Sequence, residues 1–288
     1  MPASDAPGLP VAPSAGRAWF RFLGSELRLM LSRRRNQAGL GVLAALPVIM
    51  AVAVKIASPS AGSGEGPSFL SQIVGNGFFV ALTALGVEVG LFLPLAIAML
   101  AGDALAGEAQ IGTLRGLLVA PVGRTRLLVT KYVGLVLGGL IGTLVVAVAG
   151  LLAGAALFGL HPVVTISGTT LSLGEGLLRL LLVVLYVAAF LAALAAIGLF
   201  ISTLTDQPLG ATVALALLST TMWILDAIPQ LDWLHPWLLV DRQVAFADLL
   251  RDPVYWADMR LGLLTDLAYV VVFGLAAWAR FANKDITG

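Results

Sequence analysis

Few side chains in this 288-residue chain could do chemistry, and those present exclude more than they permit. There is no cysteine, so disulfides, thiolate metal sites, iron–sulfur clusters and a cysteine nucleophile are ruled out. The two histidines stand in His161-Pro162 and His235-Pro236, where they read as turn residues. Two imidazoles are too few for a closed metal site without acidic help, so no metal is expected and a copper-handling role is unsupported. Asp232, Asp241, Asp248, Asp252 and Asp258 alternate with arginines and read as a solvated face. No G-x-S-x-G or H-E-x-x-H string occurs. Lys55, Lys131 and Lys284 are the only lysines, and none follows a phosphate-cradling glycine run. GSGEG at 62–66 reads as flexible linker. Catalytic residues and a resident cofactor are therefore not expected on this chain.

Glu88 is the acid that needs another account. It lies ten residues into the apolar run Phe78–Ala101, about 15 Å along a helix rising 1.5 Å per residue. An ionised carboxylate there is costly against lipid, so Glu88 should face protein or a water-filled cavity. A neighbouring hydroxyl from the fifth apolar run could serve as its partner, whereas Lys55 sits too near its own span's end. Alternatively, Glu88 lines a substrate path with Phe92, Ser219, Thr220 and Trp223, helped by Pro94 loosening the helix. The hydroxyls of Thr83, Thr143, Thr212, Ser219, Thr220 and Thr221 ordinarily bond back to their own helices, so each alone says little.

The elements that must position these groups are set by composition. Apolar residues make up 59% and charged residues only 11%. Mean hydropathy is +0.98. A soluble domain carries roughly a quarter charged residues, so this chain cannot wet its own surface and must sit in a membrane. The predicted fold is all-α, with six spans near Gly39–Ile56, Phe78–Ala101, Leu127–Leu157, Leu177–Ser202, Leu209–Ile228 and Leu263–Phe281. The third and fourth are longer than a bilayer is thick and must tilt or project. Residues 1–16 read as a disordered tail. Residues 17–35 read as an interfacial amphipathic helix, with Phe20, Leu23, Leu27 and Met30 on one face and Arg17, Arg21 and Arg28 on another. Residues 36–288 then form one permeating domain, including external helical turns in Pro229–Arg260. Trp19, Trp223, Trp233, Trp237, Trp256 and Trp278 fall near span ends, as interface anchors do. A six-span topology puts twelve of the 17 basic residues on one side, which predicts cytoplasmic termini. The net charge of +1 gives no reason to expect a nucleic acid partner.

Between the second and third spans, Ile111, Leu114 and Leu118 repeat at helical spacing, and Pro121 and Gly123 end the pattern. Thr125 could cap the next helix. A short amphipathic helix strung between two spans is a lever whose apolar stripe wants a groove on a partner.

Glu108, Gly112-Thr113-Leu114, Leu118, Pro121, Arg124 and Lys131 together resemble the signature of type-2 ABC transporter permeases, roughly E-x3-GTL-x3-L-x2-P-x2-R-x6-K. The six spans, the amphipathic entry helix and the closing FANKDI are similar to that family too. The resemblance implies that Asp103, Glu108, Ile111, Gly112, Thr113, Leu114, Leu118, Pro121, Arg124 and Lys131 belong to a coupling segment docking on a separate ABC ATPase. ATP and Mg would be bound by that ATPase, and a second permease, identical or paralogous, would complete the path. The chain is thus expected to belong to an exporter in a bacterial plasma membrane, and the apolar walls of the spans favour a lipophilic or amphipathic cargo such as a drug, antibiotic or lipid. Two other classes stay open: a proton-coupled transporter using Glu88, and a membrane module that transmits force without moving cargo.

Overall fold

A computed structural model of the protein describes residues 15–57, 76–110, 112, 123–165 and 167–283, with side chains from Arg21 onward. Its helices are α1 (Ala15–Ser32), α2 (Arg34–Ala57), α3 (Phe78–Gly90), α4 (Phe92–Gly102), α5 (Arg124–Phe158), α6 (Leu173–Leu204), α7 (Pro208–Asp226) and α8 (Ala257–Ala282). Among the described residues, six helical stretches are long and apolar enough to cross a membrane. The tail before residue 15 and the segments 58–75 and 113–122 lie outside the described residues.

Contacts between helices fix their directions. Ala81, Leu93, Ile97 and Leu100 meet Gly150, Gly142, Gly139 and Gly138 in turn, so α3 and α4 run antiparallel to α5. Leu43 lies by Gly142, and Lys55 donates to the Leu157 carbonyl at 3.0 Å, so α2 runs parallel to α5. Leu191 lies near Gly139, and Gly198 against Ala101, which aligns α6 with α4. Gly102 abuts Thr212 near the start of α7, and Arg124 bonds the Ala282 carbonyl at the end of α8. The ends of α1, α4, α6 and α8 and the starts of α2, α5 and α7 thus share one side, called here the basic end. Glycine is what lets these helices approach closely, in the manner of small residues at membrane helix contacts. A methyl group added at Gly150 would stand 2.7 Å from the Ala81 Cα, and one at Gly154 would overlap the Gly77 carbonyl. α6 is the buried spine of the bundle, while α2, α7 and α8 turn mostly outward.

The second span departs from the predicted continuous helix. It breaks at Leu91, whose φ of −141° and ψ of −57° stop α3 and start α4. Proline lacks an N–H and is tolerated in a helix's first turn, where that donor has no partner anyway. Pro94, the third residue of α4, therefore fits the restart, and the break falls three residues before it. Thr125 does not cap α5, because Gly123 holds that position without a side-chain bond. Thr125 instead accepts from the Trp278 indole at 3.0 Å.

The amphipathic entry helix ends at Ser32, and the first span begins at Arg34, earlier than predicted. Leu23 is buried and Leu27 and Met30 half-buried, while Arg21 and Arg28 are exposed, as the spacing requires. At the far end, a two-rung hairpin pairs Val163 with Leu171 and Val164 with Thr170. The segment before α8 forms 3-10 turns at Pro229–Leu231, His235–Trp237 and Ala245–Leu250. Side chains from the spans hold this cap by its backbone. Arg179 reaches the Leu249 and Arg251 carbonyls, Tyr186 the Arg242 carbonyl and Tyr269 the Trp237 carbonyl.

Candidate functional site

The groups that converge most closely lie at the basic end, around the root of the 111–122 segment. Helix α4 does not stop at Gly102 but widens into a π-turn over Asp103–Gly107, followed by Glu108–Gln110. A π-turn displaces backbone donors from their usual acceptors. Here the amides of Leu105 and Ala106 donate to the Ser202 hydroxyl at 3.2 and 3.0 Å. Ser202 is buried on α6, so the irregular turn is held from the neighbouring helix.

The turn rotates two acids toward cations. Asp103 takes Arg33 at 2.9 Å and also Arg35, both at the junction of α1 and α2. Glu108 meets Lys131 of α5, and Lys131 also holds Glu26 of α1 at 2.8 Å. Lys131 is 7% exposed, and breaking a buried ion pair by removing one partner is strongly destabilising. This one ammonium therefore ties the end of the second span, the start of the third and the entry helix together. A cavity of about 60 Å³ between Arg33, Asp103, Glu108 and Lys131 lies beside it.

Gly112 closes the described part of this root. Its φ of +74° is in the left-handed region that favours glycine, and its N–H bonds the Ala109 carbonyl at 3.1 Å. Chain reversal after Gln110 thus gives the glycine at this position a physical reason. Arg124 bonds the Ala282 carbonyl at 2.7 Å, anchoring the segment's exit to α8. Of the residues expected to couple, the structure gathers Asp103, Glu108 and Lys131 and places Gly112 and Arg124 nearby. Ile111, Thr113, Leu114, Leu118 and Pro121 lie outside the described residues.

A model of the ABC-2 family transporter proteins matches residues 30–232. The chain belongs to this family. No curated protein matches it significantly. ABC-2 permeases are membrane transport subunits, generally not catalytic themselves, and as a family they work with an ABC ATPase. The match spans α2 through α7 and includes the whole ion cluster except Glu26.

Within the permease, the five residues expected along a substrate path are spread out. Glu88 is buried, and neither carboxylate oxygen has a hydrogen-bond partner among the described residues. Phe92 lines an apolar groove of about 400 Å³ between α2, α4 and α5, with Arg35 and Asn36 at its basic end. Ser219 lies on the buried stripe of α7 with Ala211 and Leu215, while Thr220 and Trp223 are exposed. Thr220 bonds back to Ala216 at 2.9 Å, as a span hydroxyl ordinarily does. Lys55 is engaged with Leu157 and lies over the Phe158 ring, so it does not reach Glu88.

Sequence reasoning missed Ser202, Glu26, Arg33 and Arg35 as parts of this site. Ser202 looked like any span hydroxyl, and the arginines served only to orient the chain. Glu26 is the one acid on the entry helix, and that isolation was the available signal.

Proposed function

We propose that this permease is the membrane subunit of an ATP-driven exporter of lipophilic or amphipathic compounds such as a drug, antibiotic or lipid. The basic end faces the cytoplasm, in keeping with the cation excess there. A separate ABC ATPase binds ATP and Mg and docks on the 111–122 segment. A second permease, identical or paralogous, faces the first, and closure of the ATPases switches the cavity between inward and outward access.

The observation that carries this reading is the Glu26–Lys131–Glu108 cluster, which joins the two ends of chain that flank the 111–122 segment. A push on that segment meets three helices at one ammonium, so it is delivered to the bundle rather than absorbed by a loose loop. The groove beside Phe92 supports amphipathic cargo, because its walls are apolar and one end carries Arg35 and Asn36. The test is Leu114→Asp, which sets an unpaired charge on the docking stripe. The variant should insert normally yet fail to co-purify with its ATPase, or fail to couple hydrolysis to transport. Unchanged association and transport would remove the segment from this role.

The unpartnered burial of Glu88 favours a second reading, a proton-coupled transporter. Transport that persists without ATP and collapses with the proton gradient would establish that reading instead.

A further inference from the structure

Three side chains at the far end converge from separate pieces of chain. Asp226 is the last residue of α7, His235 opens the second 3-10 turn of the cap, and Asp241 follows it. One ligand atom from each lies within 4.8 Å of the other two. Neighbouring ligands around tetrahedral zinc stand about 3.4 Å apart, given bond lengths near 2.1 Å, so a small inward movement would close the set.

Two further observations point at a cation. The Oδ1 atom of Asp226 is shielded from solvent and has no hydrogen-bond partner among the described residues. His235 Nε2 lies 3.1 Å from the Ile228 carbonyl, and as an N–H it leaves Nδ1 with a lone pair. Such a bond to a backbone carbonyl is the usual way a metal-binding imidazole is fixed in tautomer and orientation. Arg242 pairs with Oδ2 of Asp241 at 2.9 Å, and a carboxylate has a second oxygen with which to meet a cation. Nδ1 of His235 also lies 3.6 Å from Asp232, an exposed carboxylate able to approach as a fourth group.

We propose that Asp226, His235 and Asp241 form a binding site for a divalent transition metal of the zinc type. One imidazole nitrogen and two carboxylates are a ligand set that zinc accepts, with Asp232 or a water to take the fourth position. The bound ion clasps the end of α7 to the cap, adding to the cap's bonds to α6, α8 and the hairpin. Acidic help for His235 comes from the end of α7 nine residues before it and from the cap six residues after it, spacings that form no local metal motif.

The test uses the full-length protein in detergent, stripped with chelator and carrying a tag without histidine, with Zn²⁺ as the probe. One Zn²⁺ should remain per chain after desalting. His235→Gln and Asp226→Asn should each weaken binding at least tenfold, while Asp258→Asn, an exposed acid at the same end, should not. Because the chain has only two histidines, Zn²⁺ should protect His235 from acylation by diethyl pyrocarbonate and leave His161 reactive. The protection experiment uses the parent protein and needs no variant to fold. Absence of stoichiometric Zn²⁺, equal binding by parent and His235→Gln, or equal acylation of His235 with and without Zn²⁺ would each overturn the proposal. In any of those cases Asp226, His235 and Asp241 are neighbours that hold no ion.

Discussion

At the far end of the bundle α5 meets α3 backbone to backbone; at the basic end it meets its neighbours through long charged side chains. Gly154 lies directly on Gly77, and the Gly77 N–H bonds the Gly159 carbonyl at 2.9 Å. A contact between backbones has no rotamers with which to follow a displacement. Lys131 reaches Glu26 and Glu108 across four methylenes, and Arg33 and Arg35 reach Asp103 in the same way. Those side chains can follow a shift of an ångström or two while keeping their partners. The contrast assigns α3–α5 a fixed pivot at one end and a compliant joint at the other, where the 111–122 segment joins the bundle.

The largest test of that contrast is Lys131→Met, which leaves Glu26 and Glu108 facing each other without their cation. It should cost about 3 kcal/mol, near the low end for a broken buried pair because both acids keep some exposure. Thermal unfolding in detergent would measure the loss, and adding Glu108→Gln should return part of it. A parent-like unfolding curve for Lys131→Met would mean that the joint holds nothing. Next is Gly154→Val, expected to cost about 1–3 kcal/mol by prising α5 from Gly77. If the pivot is real, cross-linking across that contact should fall while cysteines placed near Glu108 and Lys131 still cross-link.

Ser202→Ala is a finer probe, removing the acceptor from two amides at a cost of about 1–2 kcal/mol. Hydrogen exchange should accelerate at Leu105 and Ala106 and stay unchanged around Gly77. Equal acceleration at both ends would erase the distinction between them. The smallest effect on stability belongs to Glu88→Gln and Glu88→Leu, each within about 1 kcal/mol of the parent, since an unpartnered buried carboxylate has no bond to lose. Their readout is cargo: affinity, preference or pH dependence should change. Transport of every tested substrate as in the parent would make Glu88 a packing residue.

Much of this architecture is legible in the amino-acid order, because span length and cation placement are local properties. The entry helix and the crossings at α2, α5, α6, α7 and α8 need only periodicity and hydropathy to be found. The joint is less legible. Glu108 and Lys131 can be picked out by their motif, but their meeting depends on the antiparallel packing of the second span on α5. Arg33 and Asp103 are 70 residues apart, and no local pattern announces their pairing. The break at Leu91 was masked because Pro94 draws attention to itself, while the distorted residue is an ordinary leucine. Thr125 shows the opposite failure, a residue suited to capping that a tertiary contact with Trp278 uses differently.

The bond from Arg124 to Ala282 has a consequence for how the protein is made. Its two partners are 158 residues apart, and Trp278 joins Thr125 across 153. At a synthesis rate of roughly 5–20 residues per second, the start of α5 waits about 8–30 s for these bonds to α8. Until α8 emerges, the start of α5 is attached through Lys131 and lacks the contacts to Ala282 and Trp278. Biogenesis therefore imposes an order: Arg124 and Thr125, which follow the 111–122 segment, gain their bonds to α8 only after the last described helix has been made.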